Sequence, residues 1–163
     1  MAISLLSCAL TLSKGHIYDL KIKYPAMPTH QLVATEMNST NWDYNQPWYH
    51  GTPLMLATIY TGSTVTQDRN LARIFSHKPT LVSLSDDGTI KHNGAMPGFL
   101  YRIDEVILPN DVYPHPNSSM EWGMEWLTNR ELRVRLIDHT RVVDSERLTE
   151  NEVVELMKKR AHH

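Results

Sequence analysis

Trp48-Tyr49-His50-Gly51-Thr52 puts an imidazole, a glycine and a hydroxyl in three consecutive positions, just after a polar, aromatic segment. Pro47 leads into it and Gly51 and Pro53 close it, so a short strand is expected over 48–50. Soon after comes Gly62-Ser63-Thr64-Val65-Thr66-Gln67-Asp68-Arg69-Asn70-Leu71-Ala72-Arg73, which reads as a strand turning into a helix. Ser63, Thr64 and Val65 favour a strand, Thr66 is the expected N-cap, and Asp68 suits the first helical turn. Leu71, Ile74 and Phe75 fall on one helical face while Arg69, Asn70 and Arg73 point elsewhere, and Pro79 stops the helix. A third stretch, Met120-Glu121-Trp122-Gly123-Met124-Glu125-Trp126-Leu127-Thr128, sets carboxylates among tryptophans.

Between and around these stretches the chain is built of short pieces. A half-buried strand is expected over 17–24, ended by Pro25 and Pro28, and a polar loop with a short helix over 29–46. Further strands are expected at 81–84, 99–103 and 132–137, the last with Leu132, Val134 and Leu136 inward, and another at 141–144. Asp86-Asp87-Gly88 is a turn, and 109–119 is a loop rich in proline and asparagine. Thr149 and Glu152 stand at capping-box spacing ahead of Val153, Val154, Leu156 and Met157, and Lys158-Lys159-Arg160 suits a helix C-terminus. These pieces predict an α+β domain with several short strands and a few short helices.

Composition bounds the chemistry. With 41% hydrophobic and 21% charged residues, the 163-residue chain is neither disordered nor fibrous, and a single domain over 1–161 is expected. His162 and His163 read as a tag remnant and are set aside. Sixteen basic against eighteen acidic residues provide no field for non-specific nucleic-acid binding. The single cysteine, Cys8, excludes an internal disulfide and a zinc finger, and a reducing, cytoplasmic setting is expected. The run over 2–12 has no basic residue ahead of it, so it is read as a buried strand or short helix rather than an export signal. No apolar run reaches the ~20 residues that span a bilayer, and no membrane partner is expected.

A histidine followed by glycine and threonine can hydrogen-bond a sugar hydroxyl, admit close backbone approach to a flat ligand, and add a hydroxyl contact. Taken in order, Tyr49-His50-Gly51-Thr52, then Thr64-Val65-Thr66 with its following helix, then Glu125-Trp126-Leu127-Thr128, the chain resembles the ADP-ribosyltransferase superfamily over roughly residues 48–143. The resemblance implies a split, mostly antiparallel β core with NAD in the cleft between its sheets. It implies that His50 bonds a ribose hydroxyl of NAD, that Gly51 holds the nicotinamide amide through its backbone, and that Thr52 lines the same wall. For Glu125 it implies a bond to the 2′-hydroxyl of the nicotinamide ribose and stabilisation of the positive charge that builds as the glycosidic bond breaks.

Glu131 and Glu121 are the second and third choices for that carboxylate. Thr64 stands where many relatives carry a tyrosine stacked on nicotinamide, and Tyr60 or Tyr101 is a substitute ring from nearby. Arg69 and Arg73 are candidates for the pyrophosphate, and Trp122 and Trp126 for the acceptor or for the core.

The activity implied is NAD-dependent transfer of ADP-ribose, a glycosyltransferase reaction, to an acceptor that is a protein, a nucleic acid or a small molecule. One alternative is an NAD- or nucleotide-binding module of the same fold without turnover, and another is NAD-dependent removal of an RNA 2′-phosphate. A metal-dependent hydrolase built from His50, His77, His92, His115, His139 and the carboxylates ranks below these, because no pair has helix-borne zinc spacing, and no metal is expected.

Overall fold

The computed structural model describes residues 2–4 and 42–161. Its strands are β1 (Ala2–Ser4), β2 (Tyr49–Thr52), β3 (Thr58–Ile59), β4 (Thr64–Val65), β5 (Val82–Leu84), β6 (Ile90–His92), β7 (Gly98–Ile103), β8 (Val112–Pro114), β9 (Trp126–Thr128) and β10 (Leu132–Thr140). Helix α1 (Arg69–Phe75) follows β4, and a 3₁₀ turn (Asp144–Glu146) precedes the terminal helix α2 (Glu150–Ala161). These elements belong to a compact unit of residues 1–7 and 44–163, and residues 8–43 make a second unit. The strand expected over 17–24 and most of the 29–46 loop lie outside the described residues.

Three small sheets, paired antiparallel throughout, make this a mixed α+β fold: β1-β5-β6, β2-β7-β10-β3 and β4-β9-β8. The β5–β6 hairpin is closed by the Asp86-Asp87-Gly88 turn. Gly88 takes a φ of 82°, its amide donates to the Ser85 carbonyl at 2.9 Å, and the Thr89 amide donates to Asp87 at 2.9 Å. In α2 the capping box forms as its spacing requires, with Thr149 N–H donating to Glu152 at 2.8 Å and Glu152 N–H donating to the Thr149 hydroxyl at 3.3 Å.

The core gathers around α1. Leu71, Ile74 and Phe75 pack with Val82, Ile90 and Met120, so the predicted stripe is the buried one. The opposite side of α1 sits so closely on the central sheet that two strand positions are restricted to glycine. A Cβ on Gly51 would lie 1.7 Å from the Ala72 carbonyl oxygen, and one on Gly98 would lie 2.4 Å from that of Ser76. Beside them the Ser76 and Thr140 hydroxyls share a hydrogen bond of 2.5 Å between α1 and β10.

Four local expectations change. Asp68, not Thr66, caps α1, accepting from Asn70 N–H at 2.8 Å and Leu71 N–H at 3.0 Å, because the Thr66 backbone is drawn into pairing with Tyr49. Strand β8 lies inside the expected 109–119 loop, made by pairing with β9 rather than by its own period. Residues 141–144 form no strand and lead into the 3₁₀ turn. In β10 the register shifts between Leu136 and Asp138, and Leu136 is left 37% exposed instead of inward.

Candidate functional site

The three motif stretches come to neighbouring strands. Tyr49 of β2 and Thr66, at the end of β4, exchange two backbone hydrogen bonds of 2.8 and 3.1 Å. On its other side β4 pairs with β9, Thr64 opposite Leu127 and Val65 opposite Trp126. β4 thus lies between β2 and β9, and Glu125 immediately precedes β9.

Beyond the isolated Tyr49–Thr66 pair the backbone ladder between β2 and β4 stops, and the His50 side chain takes its place. Its Nδ1 lies 2.7 Å from the Thr64 carbonyl oxygen. A carbonyl can only accept, so Nδ1 carries the proton and Nε2 of the neutral ring is left as an acceptor. Burial pushes the His50 pKa down, partly opposed by this hydrogen bond, which keeps the ring neutral near pH 7. A neutral imidazole with its lone pair on Nε2 can receive a hydroxyl proton.

Gly51 completes the opening. Ile103 N–H donates to the Trp48 carbonyl at 2.9 Å, and because hydrogen-bonded pairs alternate along an antiparallel ladder, Gly51 turns its N–H and C=O away from β7, toward β4. The β2–β4 pairing has already stopped there. One donor and one acceptor on the same peptide edge match a primary carboxamide, while the missing side chain admits α1 behind. Thr52 is buried, and its hydroxyl accepts from Leu54 N–H at 3.3 Å.

Glu125 is set apart from its two competitors by burial: it is 4% exposed, whereas Glu121 and Glu131 are exposed. A carboxylate out of water is costly unless hydrogen-bonded. Ser118 meets that need in part, its hydroxyl donating to Glu125 Oε2 while accepting from Met120 N–H at 3.1 Å. The Glu125 carbonyl accepts from His115 N–H at 2.9 Å, which fixes the turn leading into β9. Ser118 carries no signal in the sequence beyond lying in the loop that precedes Glu125.

Other candidates are distributed differently. Tyr101 is 1% exposed, and its hydroxyl accepts from Leu56 N–H at 2.8 Å and donates to the Leu54 carbonyl at 3.2 Å, so it clamps the 53–57 loop and is not a free stacking ring. Tyr60, at the turn between β3 and β4, is 61% exposed. Arg73 is half-buried and held by Glu146 through two bonds of 2.9 and 2.6 Å, whereas Arg69, 3.6 Å from Asp138, is exposed. Trp126 is fully buried, edge-on to Tyr44, Trp48 and Trp122, and belongs to the core, whereas Trp122 is half-exposed. His77 and His92 stack face to face at 5.2 Å, His139 lies edge-on to Phe99, and His115 Nδ1 accepts from Asn117 N–H. Among the described residues no three histidine, cysteine or acidic side chains gather as a metal site, and no helix is long and apolar enough to cross a membrane.

Comparison of the chain with protein-family models, curated proteins and solved structures returns no match.

Proposed function

We propose that this chain is an NAD-dependent ADP-ribosyltransferase, of the superfamily its three motifs resemble, working from the opening between β2 and β4. The observation that supports the proposal is His50 of β2, bonded to the Thr64 carbonyl of β4, with the outward peptide edge of Gly51 beside it and the buried Glu125 just ahead of β9, the strand paired with β4. In this reading Gly51 N–H and C=O take the nicotinamide carboxamide, and Nε2 of His50 accepts a ribose hydroxyl. Glu125 accepts the 2′-hydroxyl of the nicotinamide ribose and stabilises the oxocarbenium-like charge as the C–N bond to nicotinamide breaks. ADP-ribose then passes to the acceptor nucleophile, whose proton is lost. A preorganised carboxylate screened from water is worth more here than a solvated one, because no solvent must reorganise as charge develops.

The test is nicotinamide release from NAD by the purified chain, with and without cell lysate as a source of acceptors, beside Glu125→Gln. The variant is expected to lose about 10² to 10³ of the rate while keeping NAD affinity. An undiminished rate would move the role away from Glu125. A second reading, a nucleotide-binding module without turnover, draws on Thr64 at the stacking position together with the engaged hydroxyl of Tyr101. Saturable NAD binding without nicotinamide release would select it.

A further inference from the structure

Arg102 stands directly opposite Arg135 across β7 and β10. Directly paired residues share a face of the sheet, and like charges placed so repel. Arg135 reaches Asp104 only at 3.6 Å, with both side chains exposed. Arg102 makes no ion pair or side-chain hydrogen bond among the described residues.

Both arginines line a surface cleft of about 360 Å³ between the 44–48 and 102–107 segments. Two carboxylates share the lining, but their charge is already committed. Asp104 faces Arg135, and Glu105 is taken by Arg130 at 2.8 Å and by the Arg133 amide at 2.6 Å. The uncompensated charge in the cleft is that of Arg102.

Tyr49 pairs with Arg102 on its other side. Tyr49, Arg102 and Arg135 thus form one cross-strand row on a single face of the β2, β7 and β10 strands.

We propose that the Arg102–Arg135 pair is an anion site for a phosphate or diphosphate group. Phosphoryl oxygens accept from two guanidinium forks at once, and an anion between them turns the cross-strand repulsion into attraction. The group has two sources, the diphosphate of the dinucleotide itself or a phosphate on a separate acceptor. The site does not depend on the NAD reading.

Calorimetric titration of inorganic pyrophosphate into the full chain tests it, with Arg102→Gln and Arg135→Gln beside wild type and circular dichroism to verify that each is folded. Saturable binding is expected, weakened about tenfold or more in either variant and reduced by added salt. No saturable binding to wild type, or unchanged binding in both variants, overturns the proposal. Titrating NAD against pyrophosphate-saturated protein then identifies the source: mutual exclusion assigns the site to the NAD diphosphate, and joint binding assigns it to a second phosphorylated molecule. Should pyrophosphate bind and NAD not, the NAD reading falls and the anion site stands.

Discussion

Lowering the pH from neutral should destabilise this fold through His92. The ring is fully buried, stacked on His77 with an interplanar angle of 9°, and its Nδ1 accepts from Gly94 N–H at 3.1 Å. A proton on Nδ1 would break that bond and bring an unsolvated charge beside a second imidazole. Burial first, then His77, push the His92 pKa from its ordinary 6.5 down to about 4, opposed by Glu146 and helped to a lesser degree by Arg73 and Arg147. The folded pKa lies below the unfolded one, so between the two the unfolded chain binds the extra proton. Stability is therefore full above pH 6.5 and is lost as the pH falls toward 4.

At about 1.36 kcal/mol per pKa unit the full loss is on the order of 3 kcal/mol, and between about pH 7 and pH 5 it is roughly 2 kcal/mol. Urea unfolding at those two pH values reads it as a fall of about 1 M in midpoint, given slopes of about 1–3 kcal/mol per molar. His92→Phe keeps a ring against His77 but cannot titrate. It should be less stable than wild type at neutral pH, having lost the acceptor for Gly94, yet show most of that pH-dependent fall abolished. Equal falls in the two proteins would refute the assignment.

Three further outcomes follow from particular contacts. Gly51→Ala forces a methyl into the Ala72 carbonyl and should cost on the order of 3 kcal/mol or more, read from its melting temperature, since backbone on both sides must shift. Tyr101→Phe leaves the Leu56 amide without its partner and should cost about 1–3 kcal/mol, with faster hydrogen exchange at Leu56 as the local sign. Ser118→Ala should lower nicotinamide release by roughly tenfold with little change in KM for NAD, because the hydroxyl orients Glu125 and need not touch the ligand; an unchanged kcat would remove Ser118 from the site.

Features written in local periodicity were legible from sequence: the Leu71, Ile74, Phe75 stripe, the strand at 99–103 and the Thr149–Glu152 box each emerge close to where the residues place them. Others depend on partners distant in the chain. Three-residue β8, ending in Pro114, is a strand because β9 lies beside it, and the helix cap moves to Asp68 because Tyr49 claims Thr66. Three glutamates near two tryptophans look alike in sequence, and only the packing around Ser118 and Trp126 buries one of them. Gly51 suggested a ligand approaching closely on the strength of residue type alone. The structure adds a second demand on the same position, the helix backbone behind it, which no spacing in the sequence announces.

Mechanically, the two walls of the opening are unequal. On the β2 side, α1 rests backbone to backbone on Gly51 and Gly98 and is pinned by Ser76 to Thr140, so helix and central sheet behave as one stiff plate. On the β4 side the backbone hydrogen bonds between Tyr49 and Thr66, the His50 bond to the Thr64 carbonyl and the edge-on contact of Trp48 with Trp126 join that plate to the short strands β4, β9 and β8. A guest entering here thus meets a wall backed by a helix on one side and short strands tied down by an imidazole and a pair of indoles on the other.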